Sequence, residues 1–589
     1  MEGNFDEFKK KMAGTLRGNG EEGDLFISDD FLHLNAVEFC RMLPEKGLDN
    51  GDCELFYSLI YRLAGTVFGA SGMCLKNLSE DECRLLSKLC EIAPALVRRG
   101  NAAAKTPLIF DETAGTSALF FYRQFEEELT IARELLQRKN ETFEINDEQR
   151  AVIDAKSDGF ELCDEQKRAV EAILKNAVTI VRGGPGTGKT TLLLRALICL
   201  KIENPNAKIA LAAPTGKAAT RMKEALANQK DTGAGTQFFN EITELVPTTL
   251  HKLLGIHSYN LTPKTLDFDA IVVDEFSMVS QDLAAKIFKA IGGNARARLV
   301  FLGDENQLDS VEAGHVLGEL ALVENVFAKP ELLESRRFNS KKFVGRFAQA
   351  IKDGNENFVE HLANEEKEDY CRLNLLGENL KIKELLETLI PETLRVPARK
   401  SDEELLAAAE DFKLITPTHA GTLGDEKLNE CCAKICRGNA DEDVRYFHGQ
   451  VILLTEKDED LGLVKGETGV IVENKEKHCF EAIFRKAESE IRKIKLELLP
   501  DWQLGYAITI HKSQGSEYRN LGVFVPAQCN ENLLTKRLLY TAITRFKEDV
   551  AHGCQFSFFY SPESLKSCFK EKPLPPSLLS ERLKKMVQK

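Results

Sequence analysis

Residues 178–191 read VTIVRGGPGTGKTT, an apolar strand followed by a glycine-rich loop and the start of a helix. The loop satisfies the pattern GxxxxGK[ST] in the strand–loop–helix context that the pattern requires. Its glycines let backbone N–H groups converge on a phosphate chain, and the N-terminus of the following helix adds positive potential. This stretch therefore predicts a nucleoside triphosphate site on a parallel α/β sheet.

Polar residues around this loop predict the chemistry of hydrolysis. Lys189 is expected to reach the β and γ phosphates, and the Thr190 hydroxyl to bind Mg²⁺. A second apolar strand ends in Asp274, expected to hold Mg²⁺ largely through water, and Glu275, expected to polarise the attacking water. This acidic pair indicates a hydrolase rather than a passive nucleotide binder. The predicted nucleotide-binding residues of the loop are Gly183, Gly184, Pro185, Gly186, Thr187, Gly188, Lys189, Thr190 and Thr191.

The alternation of strand-like and helix-like patterns divides the chain into regions. Short apolar strands, each followed by a helix, occupy 146–360 and again 361–560, which predicts two parallel sheets covered on both faces. Alternating segments with glycine turns at about 444–499 predict a small β insertion in the second region. Of the flanking regions, 1–105 is predicted to be a helical module, 106–145 a linker with short strands, and 561–589 a poorly structured tail.

Composition limits the possible partners and compartment. The chain has 589 residues, 43% of them hydrophobic, and a formal net charge of −14. This charge argues against a broad basic DNA-binding face, but a narrow channel that stacks bases remains possible. The N-terminal sequence lacks a signal-peptide pattern and no segment reaches membrane-spanning length, so we expect a cytoplasmic protein.

The fifteen cysteines contain no CxxC pair. Their one cluster, Cys431, Cys432 and Cys436, falls in a helix-like stretch without a fourth ligand nearby. We therefore predict packing roles and no metal or iron–sulfur cluster.

Further motifs distinguish among P-loop enzymes. Residues 213–219 read APTGKAA, 248–255 read TTLHKLLG and 303–314 read GDENQLDSVEAG. Together they resemble superfamily 1 helicases, and the last segment is similar to the RecD family. By this resemblance, Gln307 senses the γ phosphate and links it to the DNA-facing surface. The residues that would line the single-strand track are Pro214, Thr215, Gly216 and His251.

The second region carries the remaining motifs. Residues 335–338 read SRRF, 506–518 read YAITIHKSQGSEY and 540–545 read YTAITR. The resemblance implies that Arg337 and Arg545 reach the triphosphate across a cleft, where the delocalised charge of arginine stabilises the phosphoryl transition state. It also implies further DNA-binding residues, Thr509, His511 and Ser513.

The family uses a glutamine before the P-loop to read adenine, and a near-repeat offers two candidates. Gln149 and Gln166 each follow Asp–Glu at the start of a helical pattern. Gln166 lies at the expected spacing from the loop, whereas Gln149 lies too far upstream. We favour Gln166.

The resemblance implies an α/β fold of two RecA-like parallel-sheet motor domains with an SH3-like insertion and a helical N-terminal domain. It implies an ATP- and Mg²⁺-dependent 5′-to-3′ DNA helicase that acts on duplex ends in recombinational repair, with RecB-like and RecC-like subunits. The nuclease activity of such an exodeoxyribonuclease V complex would belong to a partner, because this chain shows no nuclease pattern of spaced acids.

Two alternatives remain. A stand-alone RecD-like helicase usually carries helix–hairpin–helix motifs in a longer N-terminal region, and we find no such series before residue 140. A structural subunit with a vestigial ATPase is disfavoured because the catalytic positions Lys189, Glu275, Gln307, Arg337 and Arg545 are intact.

Overall fold

The computed structural model describes residues 29–588 apart from short internal gaps. The gaps are 45–46, 70–71, 101–104, 113–114, 157–160, 230–235, 258–259, 311, 336–340, 377–380, 439–444, 459, 488–489, 528, 530–532 and 571–574. The predicted arginine at position 337 lies outside the described residues. None of the described helices combines the length and apolar character that crossing a bilayer requires.

The N-terminal domain is a mixed α/β unit. Its elements are α1 (Asp29–Arg41), α2 (Asn50–Ala64), β1 (Leu75–Lys76), α3 (Glu80–Ile92), β2 (Val97–Arg99), β3 (Leu108–Asp111), β4 (Ala118–Phe121) and α4 (Tyr122–Arg138). The strands form one sheet in the order β1-β4-β3-β2, with only β2 and β3 parallel. This sheet crosses the predicted boundary at 105, so the helical description of 1–105 was incomplete. Strands of two to four residues are too short to show a period of two.

The first motor domain contains a six-stranded, entirely parallel sheet in the order β10-β5-β9-β8-β6-β7. Its elements are α5 (Asp147–Asp154), α6 (Asp164–Lys175), β5 (Val178–Gly183), α7 (Lys189–Glu203), β6 (Ile209–Ala213), α8 (Gly216–Ala227), α9 (Thr236–Thr243), β7 (Thr248–Thr249), α10 (Leu250–Leu254), β8 (Ala270–Val273), α11 (Gln281–Ile291), β9 (Arg298–Gly303), α12 (Val316–Ala321) and β10 (Glu331–Leu332). Strands β6, β8 and β9 are buried along their whole length, because helices cover both faces. The loops that follow these parallel strands therefore meet at one edge of the sheet.

The second motor domain contains a five-stranded parallel sheet, in the order β11-β20-β19-β12-β18, and a separate antiparallel sheet, in the order β16-β15-β14-β13-β17. Its elements are α13 (Phe343–Lys352), α14 (Glu356–Glu360), β11 (Cys371–Leu375), α15 (Ile382–Leu389), α16 (Glu392–Arg395), α17 (Asp402–Asp411), β12 (Phe412–Thr416), α18 (Asp425–Arg437), β13 (Gln450–Leu454), β14 (Thr468–Asn474), β15 (Cys479–Ala487), β16 (Glu490–Lys495), β17 (Trp502–Leu504), β18 (Ala507–Thr509), β19 (Asn520–Val525), α19 (Lys536–Ile543) and β20 (Gln555–Tyr560).

The hydrophobic core shifts the predicted boundary between the motor domains. Phe343 and Phe347 of α13 are fully buried among residues of the second sheet, and Phe347 packs edge-on against Phe558. The predicted boundary at 360 therefore falls inside the second domain, whose first helix begins at Phe343. An amphipathic helix looks the same in sequence whichever sheet it covers.

The antiparallel insertion packs on both faces. Ile471 of β14 faces the insertion's own small core, whereas Val470 and Val472 join the core beneath α17 and α18. Strand β17 extends this sheet past its predicted end at 499. Its SH3-like character stays a prediction.

The cysteine cluster of α18 packs at this junction. Cys432 and Cys436 are buried in the same core as Val451 and Tyr506, and burial raises the pKa of Cys436 to about 12. Both side chains behave as small apolar core residues.

The C-terminal region is structured, contrary to the sequence-based prediction. Two further helices follow β20, α20 (Pro562–Phe569) and α21 (Leu579–Gln588). Leu579 and Leu583 of α21 are fully buried between α4 and the first motor domain, in one core with Ile131 and Leu320. The apolar face of α21 was hidden by the lysine- and proline-rich composition around it.

Candidate nucleotide site between two motor sheets

The P-loop joins β5 to α7 at the carboxyl edge of the first sheet. Gly186 and Gly188 have φ values of 76° and 80°, a left-handed conformation that favours glycine. Lys189 Nζ donates hydrogen bonds to the backbone carbonyls of Gly183 at 2.6 Å and Gly184 at 3.0 Å. The lysine thus lies over the loop, within reach of an anion that the loop would enclose.

The acidic pair follows the neighbouring part of the same edge, at the end of β8. Desolvation and the adjacent Glu275 carboxylate raise the pKa of Asp274 to about 6, against the opposing effect of Lys189. Glu275 has a φ of 52°, which is unusual for a residue other than glycine and marks local strain. The Asp274 carboxylate accepts a hydrogen bond from the Glu275 amide at 2.9 Å. A half-buried carboxylate and the Thr190 hydroxyl at the same edge of the sheet are oxygen donors of the kind that suit a divalent cation.

Gln307 connects the first sheet to the second. It lies in the loop after β9, where its Nε2 donates to Asp304 at 3.3 Å. Its Oε1 accepts a hydrogen bond from Arg545 Nη2 at 3.1 Å. Arg545 is 3% exposed and also donates through Nε to the Thr541 carbonyl at 2.9 Å. The structure therefore brings together two predicted catalytic residues that lie 238 positions apart.

Two more residues of the second half of the chain reach the P-loop. Ser335 Oγ donates to the Pro185 carbonyl at 2.8 Å, so the first residue of the SRRF motif lies against the loop. A Cβ added to Gly184 would lie 2.9 Å from the Tyr540 hydroxyl. The sequence reasoning did not assign a role to Tyr540, although it is the first residue of the YTAITR motif. Its place in that motif was the sequence signal that could have indicated a position near the P-loop.

The two candidate glutamines occupy equivalent positions on successive helices but have different partners. Each is the third residue of its helix and closes a capping box, Gln149 with Asn146 and Gln166 with Cys163. Gln166 Nε2 donates to the P-loop carbonyl of Thr187 at 2.9 Å, whereas Gln149 Nε2 donates to the Cys199 carbonyl of α7, also at 2.9 Å. Gln166 is therefore the glutamine that touches the P-loop.

The predicted strand-binding residues of the first domain lie at one edge of the sheet. Thr215 caps α8 after β6, and its hydroxyl accepts a hydrogen bond from the Ala218 amide at 3.2 Å. His251 is exposed on α10, which follows β7, the neighbouring parallel strand. A Cβ added to Gly216 would lie 3.7 Å from Val464, so the antiparallel insertion adjoins this surface.

The predicted strand-binding residues of the second domain are placed differently from one another. Thr509 ends β18 and His511 begins the short 3₁₀ turn that follows. Ser513 is fully buried, and its hydroxyl donates to the Ile510 carbonyl at 2.7 Å. Its side chain lies inside the domain, which corrects its predicted place on the strand track.

Comparisons with known proteins agree with this architecture. Residues 161–372 match the AAA domain family and residues 504–551 match the UvrD-like helicase C-terminal domain family. The chain is 34% identical over 570 residues to the RecBCD enzyme subunit RecD of Mycobacterium tuberculosis, covering 92% of this chain and 93% of the relative. The corresponding Haemophilus influenzae subunit is 28% identical over 74% of this chain and 76% of its own length.

A relative outside the subunit group is more distant. The ATP-dependent RecD2 DNA helicase of Deinococcus radiodurans is 26% identical over 393 residues, which cover 64% of this chain and 47% of that helicase. The mycobacterial subunit, by contrast, matches almost from end to end. From this match and the two helicase-type domains, the chain belongs to the RecD family of superfamily 1 DNA helicases.

Proposed function

We propose that this chain is the ATP-dependent 5′-to-3′ DNA motor of a RecBCD-type helicase–nuclease that processes duplex ends in recombinational repair. The observation that carries the proposal is the hydrogen bond between Gln307 of the first sheet and Arg545 of the second, beside the P-loop. A motor needs its nucleotide site at a joint between two bodies, since only there can hydrolysis change their spacing.

The residues of the first sheet would bind and orient the triphosphate. Lys189 would exchange its two loop carbonyls for phosphate oxygens, while Gln166 would read adenine from the loop's other side. Thr190 and Asp274 would hold Mg²⁺, which neutralises phosphate charge when bound. Glu275 would then orient the attacking water.

The second sheet would sense the triphosphate and transmit its loss. Arg545 is held by Gln307 and by the Thr541 carbonyl, so a γ phosphate at this point would compete for the same guanidinium. Closure on ATP and opening after hydrolysis would alternately shorten and lengthen the distance between two strand-gripping surfaces. The surface on the first domain would include Thr215 and His251, and that on the second would include Thr509. This is translocation by differential binding.

The lengths over which this chain matches its relatives support a place in a three-subunit complex. The relatives named as RecBCD subunits match this chain over most of their own lengths, whereas the RecD2 helicase matches over less than half of its length. The net charge of −14 also suits a motor that gains its duplex-binding charge from RecB-like and RecC-like partners. The stand-alone helicase is the second candidate.

A helicase assay on the assembled complex tests the activity and its polarity. The partner motor's P-loop lysine is replaced, so that only this chain can translocate. We expect ATP hydrolysis that depends on single-stranded DNA, and unwinding of a duplex with a 5′ overhang but not of one with a 3′ overhang. Unwinding of the 3′ substrate alone would refute the polarity, and absence of DNA-stimulated hydrolysis would refute the motor function.

The N-terminal domain is proposed to dock a partner subunit. It exposes large apolar side chains, among them Leu34 at 59% and Phe31 at 43%, on α1. Exposed apolar side chains that share one helix are a feature of protein interfaces. Leu34→Asp should weaken co-purification with the partner subunits while ATP hydrolysis persists. Leu498→Asp, at an equally exposed leucine of the second motor domain, is the matched control. Unchanged assembly with Leu34→Asp would contradict docking through α1.

A further inference from the structure

The interface between the motor domains continues beyond the hydrogen bond from Gln307. The Leu308 amide donates to Thr541 Oγ1 at 2.8 Å, and Asp309 forms an ion pair with Arg537. The residues of the first domain follow one another in the chain, whereas their partners are spaced by four residues along α19 and the turn after it. A spacing of four places side chains on one face of a helix. The loop after β9 and helix α19 therefore run side by side in opposite directions, joined at three successive points.

His315 completes the outer end of this junction. Its Nδ1 bonds to the Asp309 carboxylate, and its Nε2 lies 3.1 Å from Arg537 Nη2. The residue is 3% exposed. Arg537 Nη1 lies 3.2 Å from His315 Nδ1, so the guanidinium lies along both ring nitrogens as well as against the Asp309 carboxylate.

The first domain is shaped to receive this imidazole. Helix α12 has glycine at position 318, and a Cβ added there would lie 1.7 Å from His315 Nε2. Any larger side chain on α12 at this point would displace the ring from Arg537. The imidazole of His315 and the carboxylate of Asp309 together form a binding site on the first domain for the Arg537 guanidinium of the second domain.

We infer that Arg537 is a positioning residue for ATP hydrolysis, which holds α19 against the first domain so that Arg545 reaches Gln307 beside the P-loop. Arg537 lies near the start of α19 and Arg545 in the turn that directly follows its end, where the Arg545 amide donates to the Ala542 carbonyl of the helix, so the two arginines belong to one continuous element. A guanidinium that donates to two partners fixes orientation as well as distance. Arg537 acts through Arg545, and this inference rests on the proposed ATP-driven motor function.

Steady-state kinetics with saturating single-stranded DNA test the role of Arg537. In Arg537→Ala we expect kcat for ATP hydrolysis to fall about tenfold, with the KM for ATP and the equilibrium binding of a non-hydrolysable ATP analogue changed less than about twofold. The control is Lys536→Ala, which removes the same charge from the preceding residue and should keep the wild-type kcat. An unchanged kcat in Arg537→Ala overturns the inference. So does an equal loss of kcat and analogue binding, because that pattern indicates a general structural defect.

A charge swap gives a second, independent test that does not depend on the stability of Arg537→Ala. Asp309→Arg and Arg537→Asp each place like charges together, and each should lower kcat by about tenfold or more. The double variant should recover at least half of the wild-type kcat, since it restores opposite charges at the two positions. A double variant no more active than either single variant overturns the inference. A wild-type protein without DNA-stimulated hydrolysis would instead refute the proposed motor function, so the two failures are distinguishable.

Discussion

The two parallel sheets share one architecture but contribute differently to the candidate site. The first sheet places the P-loop, Asp274 and Gln307 at the ends of three strands that lie side by side. The second domain contributes the turn that follows helix α19, from which Arg545 reaches Gln307 across the interface. In the proposed mechanism, the first domain thus carries most of the residues for hydrolysis, and the second domain carries the arginine that senses the γ phosphate. Substitutions in the two sheets should therefore fail in different ways.

The largest expected effect belongs to the first sheet. Lys189→Ala should reduce DNA-stimulated ATP hydrolysis by at least about a thousandfold, because the Lys189 ammonium lies over the loop where the phosphates would bind. Glu275→Gln should match this loss while still binding nucleotide. Phosphate release measures hydrolysis, and a fluorescent ATP analogue measures binding. Lys208→Ala, at an exposed lysine of the same domain, is the control. Turnover close to wild type in either variant would contradict the assignment of the site.

The corresponding substitution in the second sheet should separate binding from turnover. Arg545→Ala is expected to lower kcat about a thousandfold, as for an arginine that stabilises the phosphoryl transition state, with a much smaller change in ATP affinity. Arg545→Lys should restore little of the activity, since an ammonium lacks the planar fork that holds Gln307 and the Thr541 carbonyl. Parallel titrations of hydrolysis and analogue binding measure both quantities. A proportional loss of binding would show that the second sheet holds ATP rather than senses it.

An effect on stability without an effect on chemistry is expected away from both sheets. Arg582 of α21 is buried against Asp111 at 2.9 Å and Glu128 at 3.4 Å, and burial raises the pKa of Glu128. Arg582→Ala leaves two carboxyls without their counter-charge, so the free energy of unfolding should fall by about 3–5 kcal/mol. Denaturant titration measures the change. The exposed neighbour Lys584, replaced by alanine, should show no change.

The same variant has an expected pH dependence. Below the pKa of Glu128 the carboxyl takes up a proton, and its need for the guanidinium disappears. The difference in unfolding free energy between wild type and Arg582→Ala should therefore shrink as the pH falls from 7 towards 4. A difference that stays constant over this range would show that Arg582 stabilises the protein through Asp111 or through packing and not through Glu128.

The smallest expected effect compares the two glutamines. Gln166→Ala should raise the KM for ATP about tenfold, which corresponds to about 1.4 kcal/mol, and leave the KM for GTP nearly unchanged. Gln149→Ala removes the same helix cap and a carbonyl hydrogen bond of the same length, but at Cys199 instead of the P-loop. It should alter stability and not KM. Equal KM values for ATP in the two variants would contradict adenine recognition by Gln166.

The success of the sequence-based predictions depended on how local each feature is. The P-loop and the acidic pair are carried by contiguous residues at strand ends, so their spacing alone located them at one edge of the sheet. Only the family resemblance implied that Gln307 and Arg545 both face the triphosphate, and their direct hydrogen bond was not predicted. The ion pair between Asp309 and Arg537 joins residues 228 positions apart, and no local pattern indicates that they meet.

Domain limits were predicted less well for a related reason. The sequence-based prediction assigned helix α13 to the first motor domain, because an amphipathic pattern does not show which sheet the helix covers. The packing of Phe347 on Phe558 places the helix in the second motor domain. The strands β1 and β2 were missed because they are two and three residues long. Helix α21 was missed because its apolar residues are few, although Leu579 and Leu583 are both fully buried.

The packing of α21 has a consequence for the order in which the protein forms during synthesis. Arg582 and its partner Glu128 are 454 residues apart, and ribosomes add about 5–20 residues per second, so about 20–90 s separate the synthesis of the two. Throughout that interval the N-terminal domain holds two carboxyls without the cation that they require for burial. Its final closure on the first motor domain therefore waits until both motor domains have been translated. A truncated nascent chain would leave the contact surface of α21 exposed, where chaperones and proteases could recognise it.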